Sequence, residues 1–247
     1  MRPLLLLLPL LVLPNRDGYG AAGPEFEVAT IKLNTSTPNV IHIPQSVGGR
    51  FHFPFNSLKM LIATAYKLKP FEILDGPSWL ASNRYDVEAK SSDPNISEAD
   101  FRLMMQNLLA DRFKLKIHKE TRELPMFSLV VAKGTSKLRL TPEGGCGAMP
   151  CGVLIPSMTR MHGGNISMHQ LVDALSNLLA APVVDNTGYT APFDVQLEFT
   201  REGALVTDDS PPSIFTAIQE QLGLRLEAHK APAEVLVIDH AEKPSEN

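Results

Sequence analysis

Histidines and acids at matching positions are the first residues in this chain with the makings of chemistry. Arg50, His52 and Asp75 recur as Arg160, His162 and Asp185, and His118 is echoed by His229. An imidazole beside a carboxylate is the simplest general acid–base pair, and several imidazoles with an acid make a metal site. Each half offers only two such histidines, with no clear carboxylate pair beside them. Asp75 and Asp185 close short strands, where Asp commonly accepts hydrogen bonds from local amides. Asp86 and Asp194 follow an aromatic residue on a strand and are expected to face solvent. Structural or surface roles therefore outweigh a ligand set. A hydrolase or metal-dependent enzyme is the competing expectation, and it requires His52, His162 and nearby acids to converge in one pocket.

Familiar catalytic and cofactor motifs do not occur. A zincin needs H-E-x-x-H, and a nucleophile elbow needs G-x-S-x-G. The run Gly76-Pro77-Ser78 continues into Trp79 and fails the second pattern. Neither a Walker loop nor a dinucleotide fingerprint is present, so no catalytic residue, metal ligand or cofactor is assigned. The two cysteines, Cys146 and Cys151, stand in GGCGAMPCG, where Gly and Pro let the chain turn. In an oxidising compartment that spacing reads as a small-loop disulfide. A zinc half-site is the alternative, but the second Cys or His pair it needs at short spacing is not evident. The sole tryptophan, Trp79, is a candidate interaction anchor on a loop or, more commonly, a plug for the core.

These residues are carried by a stretch that returns. Arg50–Asp75 reappears without a gap at Arg160–Asp185, with Ser57, Leu61 and Leu68 meeting Ser167, Leu171 and Leu178. Apolar positions coincide as well, which indicates an internal duplication. In each copy a Ser caps a helix with one apolar face, Leu58, Leu61, Ile62 and Ala65 in the first and Leu171, Val172 and Leu175 in the second. The alternation in Phe26–Lys32 and Tyr85–Lys90 predicts strands. Ser97 starts a helix through Leu109. Phe113–Lys119 and Leu124–Ala132 read as a hairpin. Ser210 and Pro211 read as N-cap and first residue of another helix, with Gly223 as its stop. Leu224–Lys230 and Val235–His240 are the closing strands. The expected fold is α+β, from tandem duplicated β-α-β-β-α-β-β units with mixed sheets and helices on one face. The division is residues 1–22 as a signal, 23–133 as the first repeat, 134–156 as a linker with the cysteine pair and 157–247 as the second repeat.

Charge and address narrow the partners. A formal charge of −4 without any Lys/Arg run argues against nucleic acid. One Arg, an apolar run from Leu4 to Leu13 and small residues to Ala22 follow the order of a secretory signal. That run is shorter than the ~20 residues of a bilayer span. The mature chain is therefore expected to be periplasmic or secreted, with no stable membrane span once the signal is removed.

Several longer motifs carry a resemblance. FEVATIK, LKMLIATAYKL, GPSWL, RYDVEAK, LLADRFKLKIHKETRELPMFSLVVAKG, APVVDNTGYTAPFDVQLEF and the closing FTAIQEQLGLRLEAHKAPAEVLVIDHAEKPSEN resemble a soil-associated bacterial family of secreted proteins of unknown function. The resemblance covers nearly all of the mature chain. It implies no activity and no catalytic residues. Some relatives resemble segments attached to membrane metallopeptidase-type sensors, which implies extracytoplasmic sensing. Each half remotely resembles the short N-terminal domain of secretins and TonB-dependent receptors, which implies protein binding rather than catalysis. The leading expectation is a non-enzymatic interaction or sensing module whose partner is an envelope protein or component. Small-ligand binding between the repeats is a further alternative.

Overall fold

The computed structural model describes residues 23–245, except 37–43, 135, 143–144, 158, 201–202, 204–206 and 208–209. The expected signal, residues 1–22, lies outside the described residues. The first half runs β1 (Val28–Asn34), β2 (Gln45–Val47), β3 (Arg50–Asn56), α1 (Leu58–Tyr66), β4 (Ile73–Leu74), α2 (Trp79–Ser82), β5 (Arg84–Lys90), α3 (Glu98–Arg112) and β6 (Lys116–Val131). The second runs β7 (Arg139–Leu140), β8 (Ile155–Pro156), β9 (Arg160–Ile166), α4 (Met168–Leu179), β10 (Val183–Asp185), β11 (Phe193–Glu198), α5 (Ile214–Ala217) and β12 (Leu224–His240). The fold is a mixed α+β arrangement.

Serine caps start the helices, because a hydroxyl satisfies an amide that the first turn leaves without a partner. Ser57 accepts from the Met60 amide, Ser97 from Asp100 and Ser167 from Gln170. At α4 the Gln170 side chain returns the bond to Ser167, closing a capping box. Both α1 and α4 end on a left-handed residue, Lys67 and Ala180. Helix α5 begins later than its Ser210-Pro211 pair suggests. Ser213 is the cap of α5 and accepts from Thr216. Pro212 follows Pro211 and disfavours helical backbone there, so this stretch enters the helix extended and bridges Thr200 to Ser213. Gly223 does end the segment, at φ 67.

Three four-stranded sheets result. Two are antiparallel and share a layout, β1-β5-β3-β2 and β7-β11-β9-β8. The third is mixed and ordered β10-β6-β12-β4. The expected hairpin within 113–132 is instead one 16-residue strand, β6, and the closing pair is one 17-residue strand, β12. The reason is the partner. β6 lies antiparallel against β12 from Lys116 opposite His240 to Val131 opposite Leu224, so its alternation is satisfied across halves. Thr121-Arg122-Glu123 between its ends also lacks the Gly or Asn that a tight hairpin turn requires.

This long ribbon runs through both lobes. β4 pairs in parallel with β12, whereas β10 pairs in parallel with β6. The first core, built on Phe51, Leu61, Ile62, Tyr85, Leu109 and Phe113, takes Leu236 and Ile238 from β12. The second, built on Met161, Leu171, Leu175, Phe193, Val195 and Leu197, takes Leu129 from β6. Each lobe is thus completed by a segment of the other half.

Candidate functional site on the first sheet

The structure separates the histidines that the sequence aligns. His52, on β3, stands between Gln45 and Glu88, on the first sheet. His162, on β9, stands between Ile155 and Gln196 on the other antiparallel sheet. Its Nδ1 is enclosed and has no hydrogen-bond partner among the described residues. His229 on β12 lies 3.3 Å from the Glu227 carbonyl. Among the described residues no three His, Cys, Asp or Glu side chains are grouped to hold a metal ion.

Of the aligned histidines, His118 is the one paired with carboxylates among the described residues. Its Nδ1 lies 2.8 Å from Asp239 and its Nε2 3.3 Å from Glu120, which also pairs with Arg122. Arg122 in turn reaches Asp75 at 2.9 Å. The carboxylates of Asp239 and Glu120 hold the imidazolium above its ordinary range, and Arg122, then His118, hold Glu120 below the usual carboxylate range. This exposed chain of charges links the turn after β4 to the ribbon. Both ring nitrogens are engaged by acids, so the imidazole has no ring nitrogen left over as a base. Asp185 makes the local turn expected of it, accepting from the Thr187 amide at 2.8 Å, whereas Asp75 takes the ion pair instead.

Asp86 and Asp194 are half-buried acids engaged by hydrogen bonds. Asp86 accepts from the Phe55 amide at 2.8 Å and from the Asn34 side chain. Asp194 accepts from the Asn165 amide at 3.0 Å and from the Thr141 hydroxyl at 2.6 Å. Phe55 and Asn165 both have positive φ, 57 and 53, where β3 and β9 bulge. A carboxylate on the neighbouring strand thus holds each bulge in a conformation that costs a phenylalanine energy. No spacing rule on one strand would have revealed this, because the bonded amide lies on another.

Cys146 and Cys151 are joined as a disulfide with Cα atoms 5.5 Å apart. Their loop adds to β9: the Gly164 amide donates to Pro150, and the Gly152 amide to the Gly164 carbonyl. It can lie that close because β9 carries Gly163-Gly164 where β3 carries Phe53-Pro54. A Cβ on Gly164 would stand 2.7 Å from Cys146 Cβ. Trp79 sits on α2 and packs against the first core, stacked near Phe113 with centroids 6.5 Å apart.

The two antiparallel sheets differ in what borders them. The disulfide loop pairs along the edge of β9 in the second, while the outer side of the first presents a groove of about 570 Å³ lined by residues of all four strands. Successive cross-strand neighbours form rows across it. One row is Val28, Lys90, Arg50 and Val47, and the next is Thr30, Glu88, His52 and Gln45. Val28 is 57% exposed and Val47 77%. Lys90 pairs with Glu27 at 2.6 Å, but Arg50, directly opposite Lys90, has no ion-pair partner among the described residues. Its counterpart Arg160 is opposed by Glu198. The groove was not legible from one strand's sequence, since it follows from which strands are neighbours.

No helix among the described residues is long and apolar enough to cross a membrane. A family model described as a protein of unknown function, DUF3738, matches residues 59–241, from α1 to the end of β12. Comparison with curated proteins and with solved structures finds no significant match.

Proposed function

The chain belongs to the DUF3738 family of proteins of unknown function, and on that premise we propose that it is a non-enzymatic binding module working outside the cytoplasm. The observation that carries this reading is the outer face of the β1-β5-β3-β2 sheet, a groove where, among the described residues, Val28 and Val47 are exposed and Arg50 has no ion-pair partner. The extracytoplasmic address rests on the apolar run Leu4–Leu13 and on the Cys146–Cys151 pair. We read the two lobes as products of a duplication. Its support is that bulges at Phe55 and Asn165 recur with an acid, Asp86 or Asp194, bonded to each.

The test uses the full exported chain. Its amino terminus should begin near Gly23, and the immobilised protein should capture an envelope component saturably, in competition with soluble protein, and bind it again once purified. Hydrolytic turnover by the purified chain that His52→Ala or His118→Ala abolishes would replace the binding module with an enzyme.

A further inference from the structure

We propose, resting on the binding reading above, that the first sheet's outer face docks an extended acidic segment of a partner protein, patterned apolar-x-Asp/Glu-x-apolar. Arg50 and Lys90 are immediate cross-strand neighbours. Like charges in that position repel, and the sheet is relieved when a carboxylate lies between them. Glu27 offsets Lys90 only, from the margin of the sheet. Glu88 is one row away, opposite His52 rather than Arg50. The second lobe has no such need, since Glu198 stands opposite Arg160.

The dimensions fix the pattern of the occupant. The row Val28–Lys90–Arg50–Val47 crosses three strand spacings, roughly 14 Å. In an extended chain, residues i−2, i and i+2 point the same way and also span roughly 14 Å. A carboxylate at i then reaches both cations while apolar side chains at i−2 and i+2 rest on Val28 and Val47. Charge and apolar contact are thereby satisfied by one segment laid across the strands.

The probe is an acetylated, amidated Val-Thr-Glu-Thr-Val peptide titrated into the full mature chain and followed by amide NMR. Saturable shifts are expected at Val28, Val47, Arg50 and Lys90. Replacing the central Glu of the peptide by Gln, or Arg50→Gln in the protein, should weaken binding about tenfold or more. Lys90→Glu, which places an acid opposite Arg50 as Glu198 stands opposite Arg160, should abolish it while the thermal transition is retained. Arg160→Gln should leave it unchanged. Equal binding of the Glu and Gln peptides, or no saturation at millimolar peptide, overturns the proposal. Self-association lost in Arg50→Gln would put a second copy on the face, and binding to phosphatidylglycerol vesicles lost in the same variant would put a membrane there. Either result overturns a protein segment as the occupant. If the captured envelope partner binds the Arg50→Gln chain as tightly as wild type, this inference falls and the binding-module reading stands.

Discussion

At the scale of single residues, the side chains that drew attention as chemistry turn out to shape backbone and charge. Asp86 and Asp194 fasten positive-φ positions on a neighbouring strand. Asp86→Ala leaves the Phe55 amide without its acceptor and should cost about 1–3 kcal/mol in denaturant unfolding, with Asp194→Ala following the same direction. His118 gives a pH signature. Its pKa is raised in the folded protein by Asp239 and then Glu120, so its contribution to stability is complete below the unfolded histidine value and is lost as pH rises through the folded one. The melting temperature of wild type should therefore fall relative to Asp239→Asn as pH is raised across that window. NMR titration of the variant should return His118 toward its ordinary value. Matching of His118 with His229 was visible in the sequence, but Asp239 was not, because it arrives from the far end of the chain.

At the scale of elements, local signals were read well wherever they decide structure by themselves. Ser57, Ser97 and Ser167 cap the helices they precede, and Gly223 stops the segment after α5. Elements whose form depends on a distant partner were misread. β6 and β12 are single strands because each supplies the other's hydrogen bonds along nearly its whole length, and no turn inside either is needed. The disulfide loop on β9 is a similar case, since a Cβ at Gly164 would crowd Cys146 and the Asp194 carboxylate, both distant in sequence. Gly164→Ala should displace the loop and cost about 1–3 kcal/mol. Cys146→Ser with Cys151→Ser should cost about 2 kcal/mol by releasing the closed loop. If the paired serines leave the Gly164→Ala penalty smaller than it is in wild type, the two sites are coupled as the geometry requires.

At the scale of the molecule, the halves are not self-sufficient. The first core contains Leu236 and Ile238, and β4 finds its strand partner only in β12. A fragment of residues 23–133 should show no cooperative thermal transition alone and should regain one when residues 134–247 are added. The intact chain should unfold in one calorimetric transition, with equal van't Hoff and calorimetric enthalpies. Two resolved transitions would show that the lobes are independent. The recurrence of Arg50–Asp75 at Arg160–Asp185 suggested two beads joined by a linker, and the sequence could not reveal that each lobe takes residues from a strand of the other half, since an alternating pattern names no partner.

That exchange also orders events in time. Ile73 emerges in synthesis long before the Leu236 it pairs with. The first lobe cannot close from the N-terminus as it appears, and contacts so distant in sequence form slowly. Until β12 arrives the first lobe lacks two side chains of its core and β4 lacks the strand it pairs with, so the closing of that lobe should wait on residues far downstream.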